Sequence, residues 1–185
     1  MKLVATALSL LAASQSLASP TPKSSDVWIG LNLEQCLTNA TTIPPPNLVA
    51  QKETARKVIA GYNAWDRDSI LEYRAPECEQ QVLPASMNRA AQSNDEYGAY
   101  FDRIKSLYSD FTVTVMEEIH DAEAHSCIIH ASSTASTAIG PYANEYALII
   151  EFTKDGKNVT KIYEFVDSDY SKKFVAELAK QEPAQ

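Results

Sequence analysis

The sequence predicts an α+β domain in which helices come first and an antiparallel meander of strands follows. Three observations predict it. Val58, Ile59, Tyr62 and Trp65, and later Tyr97, Tyr100, Phe101, Ile104 and Leu107, recur at the three- and four-residue spacing of a buried helix face. From Phe111 onward the apolar residues alternate or run on, as they do in strands. Two such runs flank Lys154-Asp155-Gly156-Lys157, a strong hairpin signal. Helices followed by strands is the α+β order rather than that of βαβ units.

Taken in order, Met1 and Lys2, the apolar run Leu3 to Leu17 and the small residues of Ser16-Leu17-Ala18 read as a secretory signal peptide over residues 1–18. Its apolar run is too short to span a bilayer. Residues 19–46 form a Pro/Ser/Thr-rich arm closed by Pro44-Pro45-Pro46, residues 47–180 the domain, and residues 181–185 a tail. Asn47 is expected to cap the first helix, and Asp66 or Asp68 a short second one through Ile70, Leu71 and Tyr73. Arg74-Ala75-Pro76-Glu77-Cys78 reads as a turn into an extended piece, Glu79 to Leu83, which Pro84-Ala85-Ser86 ends. Ser93-Asn94-Asp95-Glu96 is a capping box that opens a long amphipathic helix. Strands are expected at Phe111 to His120, Ala124 to Ser136, Tyr142 to Phe152 and Val159 to Asp167. A last helix, capped by Ser168 or Asp169, presents Tyr170, Phe174 and Leu178.

Composition narrows the function. The chain has 185 residues, 45% of them hydrophobic, enough for one core and hardly for two. A net charge of -8 with no basic cluster in the sequence argues against nucleic acid and anionic membrane surfaces as partners. Three cysteines allow one disulfide at most. Cys127 reads as a buried apolar filler, while Cys36 and Cys78 either bridge the arm to the domain or stay as thiols. The sequons at Asn39 and Asn158 agree with export. No phosphate-cradling glycine loop, no Gly-x-Ser-x-Gly elbow and no His pair at metal spacing is present, so no cofactor and no metal is expected.

Alternation places Asn144, Tyr146, Leu148, Ile150 and Phe152 on the core face of one hairpin strand, and Glu145, Ala147, Ile149 and Glu151 on the other face. In the partner strand both residue sets are partly apolar. With Ile162, Glu164 and Val166 inward, Glu164 is a carboxylate in an apolar enclosure, with the raised pKa that a general acid or base near neutral pH needs. Facing outward, it pairs with Lys161 or a neighbouring lysine. His130 shares a face with Ser126, Ile128, Ser132 and Thr134; it is either a proton-transfer partner or a hydrogen-bonded strand histidine. Asp66 is either a polar group at the pocket rim or a helix cap, and His120 and His125 read as solvated. Arg74 orients an anionic oxygen or Glu164, or it pairs with Glu77 or Glu72. Asn144 and Tyr146 suit hydrogen bonds to an enolate or epoxide oxygen, although a tyrosine there also serves as core. Tyr62, Ser86 and Asn88 complete the candidate substrate contacts, while the stripe of Tyr97, Tyr100 and Phe101 reads as core.

Several segments together resemble a known family: Tyr62-Asn63-Ala64-Trp65-Asp66, Tyr73-Arg74-Ala75-Pro76-Glu77-Cys78, Pro84-Ala85-Ser86, Gly140-Pro141-Tyr142-Ala143-Asn144-Glu145-Tyr146 and Glu164-Phe165-Val166-Asp167-Ser168. They look like the SnoaL-like, or nuclear transport factor 2-like, superfamily, in particular small fungal members associated with polyketide and meroterpenoid pathways. The resemblance covers Leu48 to Leu178. It implies a cone-shaped fold, a curved antiparallel sheet wrapped around N-terminal helices, with an apolar pocket at the open end and homodimers formed through the outer sheet face. It also implies cofactor-free isomerase, cyclase, dehydratase or epoxide-opening activity. The aromatic-flanked acid of the last strand is catalytic in the limonene epoxide hydrolase branch, which favours Glu164 inward. The Arg-x-Asp pair of that branch is absent from the strands here, so its water-activating mechanism does not carry over.

The expected protein is thus a secreted, cofactor-free enzyme for a hydrophobic polyketide- or terpenoid-derived small molecule. Glu164 would be its base or acid, His130 or Asp66 the partner, and Asn144, Tyr146 and Arg74 the polarising donors. Its rivals are a secreted binding protein that holds an apolar ligand unchanged and a dimeric structural protein. A signal peptide sets the chain apart from pathway relatives.

Overall fold

The computed structural model describes residues 45–181; the expected signal peptide over residues 1–18, Cys36 and Asn39 lie outside the described residues. In chain order come α1 (Pro46–Ala64), α2 (Arg67–Leu71), β1 (Arg74–Leu83), β2 (Gln92–Ser93) and α3 (Asn94–Ile104). They are followed by β3 (Ser109–Asp121), β4 (Ser126–Thr137), β5 (Gly140–Phe152), β6 (Val159–Val166) and α4 (Ser168–Leu178). The strands make one curved six-stranded sheet in the order β2-β1-β6-β5-β4-β3.

This α+β sheet is mixed rather than antiparallel throughout. From β3 to β6 it is the expected meander, but β1 pairs in parallel with β6, setting Gln80 against Ile162 and Val82 against Glu164. A parallel pair needs a long connection, and here every element from β2 to β5 lies within it. Local sequence signals carry no information on such a pairing.

The core lies between α1 and the inner sheet face. Ala55, Val58 and Ile59 meet Ile129, Leu148, Ile150 and Ile162, all buried. Cys127 is buried among them as a filler, and Cys78 is fully buried on β1. Burial pushes the Cys78 thiol up to about 11.

Helix ends follow capping chemistry, with two departures from expectation. The Ser93 and Glu96 box is present at α3, and Asp66 caps α2. Proline rather than Asn47 starts α1; the Asn47 amide instead donates to Ala122 O at 2.7 Å, tying the helix to the turn between β3 and β4. Asp167, not Ser168 or Asp169, caps α4, accepting from the backbone of Asp169 and Tyr170 at 3.1 and 3.0 Å. The supposed turn at Arg74 to Cys78 is already strand, made irregular between Arg74 and Glu79.

His120 is not solvated. Its side chain is 3% exposed, with Nδ1 3.2 Å from the Gln51 amide nitrogen, and burial pulls its pKa below the ordinary value. His125 is half-buried, its Nδ1 3.3 Å from the Asn47 amide nitrogen. On the outer sheet face Ile119, Ile128 and Phe165 are exposed. Among the described residues no helix is long and apolar enough to cross a membrane.

The turn between β5 and β6 is seated on α1. Gly156 has φ +74°, and a Cβ there would lie 2.6 Å from Asn47 O and 2.8 Å from Gln51 N, while the Thr54 hydroxyl donates to Gly156 O at 2.7 Å. Both the backbone conformation and the contact demand glycine. Gly156→Ala is expected to destabilise the fold by about 2 to 4 kcal/mol, measured as a lower denaturant midpoint with an unchanged slope.

Candidate active site

Pairing with β5 determines which way Glu164 points. The buried set on β5 is Asn144, Tyr146, Leu148, Ile150 and Phe152, and β6 sets Glu164 against Leu148 and Ile162 against Ile150. Directly opposed residues share a face, so Glu164 faces inward with Ile162 and Val166. There it opens into a cavity of about 800 Å³. Trp65, Tyr100, Phe111, Tyr142 and Phe174 line the cavity walls. Trp65 stacks on Phe111 with 3.9 Å between ring centroids, and its indole N–H donates to Lys105 O at 3.0 Å.

Glu164 is held by a chain of side chains that begins in the protein interior. Arg74, buried on β1, lies over the Tyr97 ring at 4.3 Å and donates through Nε to Ile70 O at 3.3 Å. Its Nη2 donates to Gln80 Oε1 at 2.5 Å, and the Tyr62 hydroxyl donates to the same oxygen at 3.3 Å. A guanidinium has no acceptor, so the Gln80 oxygen must face Arg74 and the amide nitrogen must face the cavity. That nitrogen donates to Glu164 Oε2 at 3.1 Å. Burial raises the Glu164 pKa above the ordinary carboxylate value, while the Gln80 hydrogen bond and the Arg74 charge pull the other way. Burial prevails.

The remaining candidates divide by face. Tyr62, Asn144 and Tyr146 are on the cavity wall. Asn144 Oδ1 accepts from the Glu145 N–H at 3.1 Å, and burial raises the Tyr146 pKa, which keeps the phenol a donor. Arg74 is not on the wall; it acts behind Gln80 and pairs with neither Glu77 nor Glu72. His130 lies on the outer sheet face, Nε2 2.7 Å from Glu145 Oε1, and cannot partner Glu164, because strand alternation turns it away from the cavity. Asp66 is exposed and accepts from the Ser69 backbone and hydroxyl, both at 3.1 Å, which lowers its pKa. It is a cap, not a partner for Glu164. Ser86 and Asn88 are exposed and off the wall; the 3-10 turn Ala85–Met87 and the left-handed Asn88 present Met87 and Arg89 instead.

Among the inward polar residues of the sheet, Gln80 and Ser133 were missed from the sequence. Gln80 follows Cys78 on the inner face of β1, a signal that strand alternation offers once β1 is known to pair with β6. Ser133 sits opposite Asn144, almost fully buried, and its hydroxyl has no partner among the described residues. Among those residues no group of three or more His, Cys, Asp or Glu side chains is arranged to hold a metal ion. The arrangement provides one raised carboxylate, neutral donors around it and an apolar enclosure, which together can move a proton at a carbon and stabilise the oxygen that takes up the charge.

No protein-family model matches the chain. Individual relatives do. The chain is 33% identical over 138 residues to monooxygenase nsrQ of Aspergillus novofumigatus, covering 75% of this chain and 91% of that protein. It is 30% identical over 118 residues to austinoid biosynthesis cluster protein F of Aspergillus calidoustus, covering 62% and 67%. Among solved structures it superposes on the BvnE pinacolase of Penicillium brevicompactum with a TM-score of 0.67 at 26% identity, covering 73% of this chain and 95% of that one. By sequence and by fold, the chain belongs to the SnoaL-like, nuclear transport factor 2-like family of small fungal secondary-metabolite biosynthesis proteins.

Proposed function

We propose that this protein is an exported acid-base enzyme that isomerises, cyclises or dehydrates a hydrophobic polyketide- or terpenoid-derived molecule without a cofactor. The observation that carries this reading is Glu164, a carboxylate of raised pKa on the wall of an aromatic-lined cavity. In its ionised form Glu164 takes a proton from an acidic carbon of the substrate, and in its protonated form it returns that proton at a second position. Asn144 and Tyr146 donate to the oxygen on which the negative charge gathers. Gln80 keeps the carboxylate aimed at the substrate, and Arg74 keeps Gln80 in place. The pinacolase name of a solved relative, the name of a rearrangement, supports this class of reaction. Export rests on residues 1–18 alone.

Incubation with a panel of apolar polyketide and terpenoid carbonyl compounds in D2O tests the central step. Wild type is expected to wash deuterium into one of them, and Glu164→Gln to slow the exchange by about 10² to 10⁴ with the fold intact. Exchange at the wild-type rate in that variant would remove Glu164 from the mechanism.

The ionised base is the active form at the first step, so the rate should rise with pH through the Glu164 pKa. The acid limb of the kcat/KM profile is therefore expected above 4.5, the ordinary carboxylate value. Gln80→Leu, which removes an interaction that favours the charged form, should move that limb further up.

A second reading comes from the monooxygenase names of relatives. The carbanion formed by the same proton abstraction is the electron-rich species that an oxygenation would use. Oxygen consumption during turnover separates the two. The isomerase reading expects none, and uptake of one O2 per substrate would replace it.

A further inference from the structure

The mouth of the cavity carries a charge that the chain as a whole does not. Arg89, Arg103 and Lys172 all line the cavity and are all exposed, which puts them at its rim. They come from three separate places: the segment before β2, the C-terminal turn of α3 and the first half of α4. None of the three is in an ion pair among the described residues. Arg103 lies 5.9 Å from the Tyr100 ring centre, and the Lys172 ammonium donates to Ser86 O at 3.4 Å. Among the described residues the rim has one acid, Glu96, whose carboxylate already accepts from the Ser93 backbone and hydroxyl at 2.8 Å each. In a chain of net charge -8, three unpaired cations around one opening call for an anion from outside.

We infer that the substrate is an amphiphilic oxyanion, an apolar body bearing a carboxylate or a like singly charged group. This rests on the acid-base reading of the same cavity and adds the substrate class and its direction of entry. The charged group stays at the rim between Arg89, Arg103 and Lys172, and the uncharged end reaches Glu164. The reverse orientation would bring two anions together at the inner end of the cavity, where the nearby cation, Arg74, already faces Glu164 through Gln80 and stands off the wall. The rim thus selects both the ligand and its end.

The test uses two dyes of one ring system, 1-anilinonaphthalene-8-sulfonate and its uncharged counterpart N-phenyl-1-naphthylamine, titrated by fluorescence at low salt. With three exposed pairs worth about twofold each, the sulfonate is expected to bind about tenfold tighter than the neutral dye. The triple variant Arg89→Gln, Arg103→Gln, Lys172→Gln should lose that preference and keep its affinity for the neutral dye, which also reports that the cavity is intact. Lys161→Ala, paired with Glu79 away from the mouth, should leave the preference unchanged. Equal binding of both dyes to wild type, or a preference that survives the triple variant, overturns the rim proposal and leaves the cavity standing. Binding of neither dye overturns both readings.

Discussion

A carboxylate inside an apolar sheet face needs a donor, and the rest of this site depends on the one that Gln80 supplies. Taking an ion out of water costs several kcal/mol even after the protein relaxes. Arg74 is near enough to repay that cost directly, yet the two charges do not touch, because the Gln80 amide stands between them. In direct contact, a guanidinium would hold the carboxylate well below its ordinary value and leave a weak base. With the amide interposed, the attraction is diluted and burial decides the direction of the shift. The parallel pairing of β1 with β6 is what brings Gln80 to Glu164, so the chemistry of the site is a product of sheet topology.

What the sequence disclosed was local. The inward side of β5, the capping box of α3, the Asp66 cap and the Asp-Gly turn were legible because residues a few positions apart decide them. The side on which Glu164 lies became legible only through its aromatic neighbours and the resemblance they carry. Hidden from view were features that depend on distant partners. His130 looked like a proton carrier until its strand was placed with that face outward, and Ser86 and Asn88 were one residue away from the positions that reach the cavity. Gln80 and Ser133 went unnoticed because an inward amide and an inward serine have no signature apart from the strands beside them.

The same dependence governs charge. Summed over the chain, the balance is strongly acidic, and no basic cluster appears along the sequence. The sum hides an arrangement in which cations far apart in sequence meet at one opening while most acids lie elsewhere. A net charge describes how a protein behaves at long range, whereas a ligand entering the cavity feels only the few groups within a Debye length of its path.

Trp65 ends α1 in a left-handed conformation with φ 51°, its N–H returning to Tyr62 O at 3.2 Å, and its ring forms part of the cavity wall. The wall is therefore attached to the end of a helix whose other face is locked into the core. Lengthening α1 at its last residue would swing the indole through about 100° and off the wall, while Glu164, carried by β6 and held by Gln80 of β1, would keep its place in the sheet. Under the proposed function, cavity shape and proton chemistry would be separable inheritances in this fold: a lineage could refit the cavity to a new carbon skeleton by editing a helix end and keep the same acid.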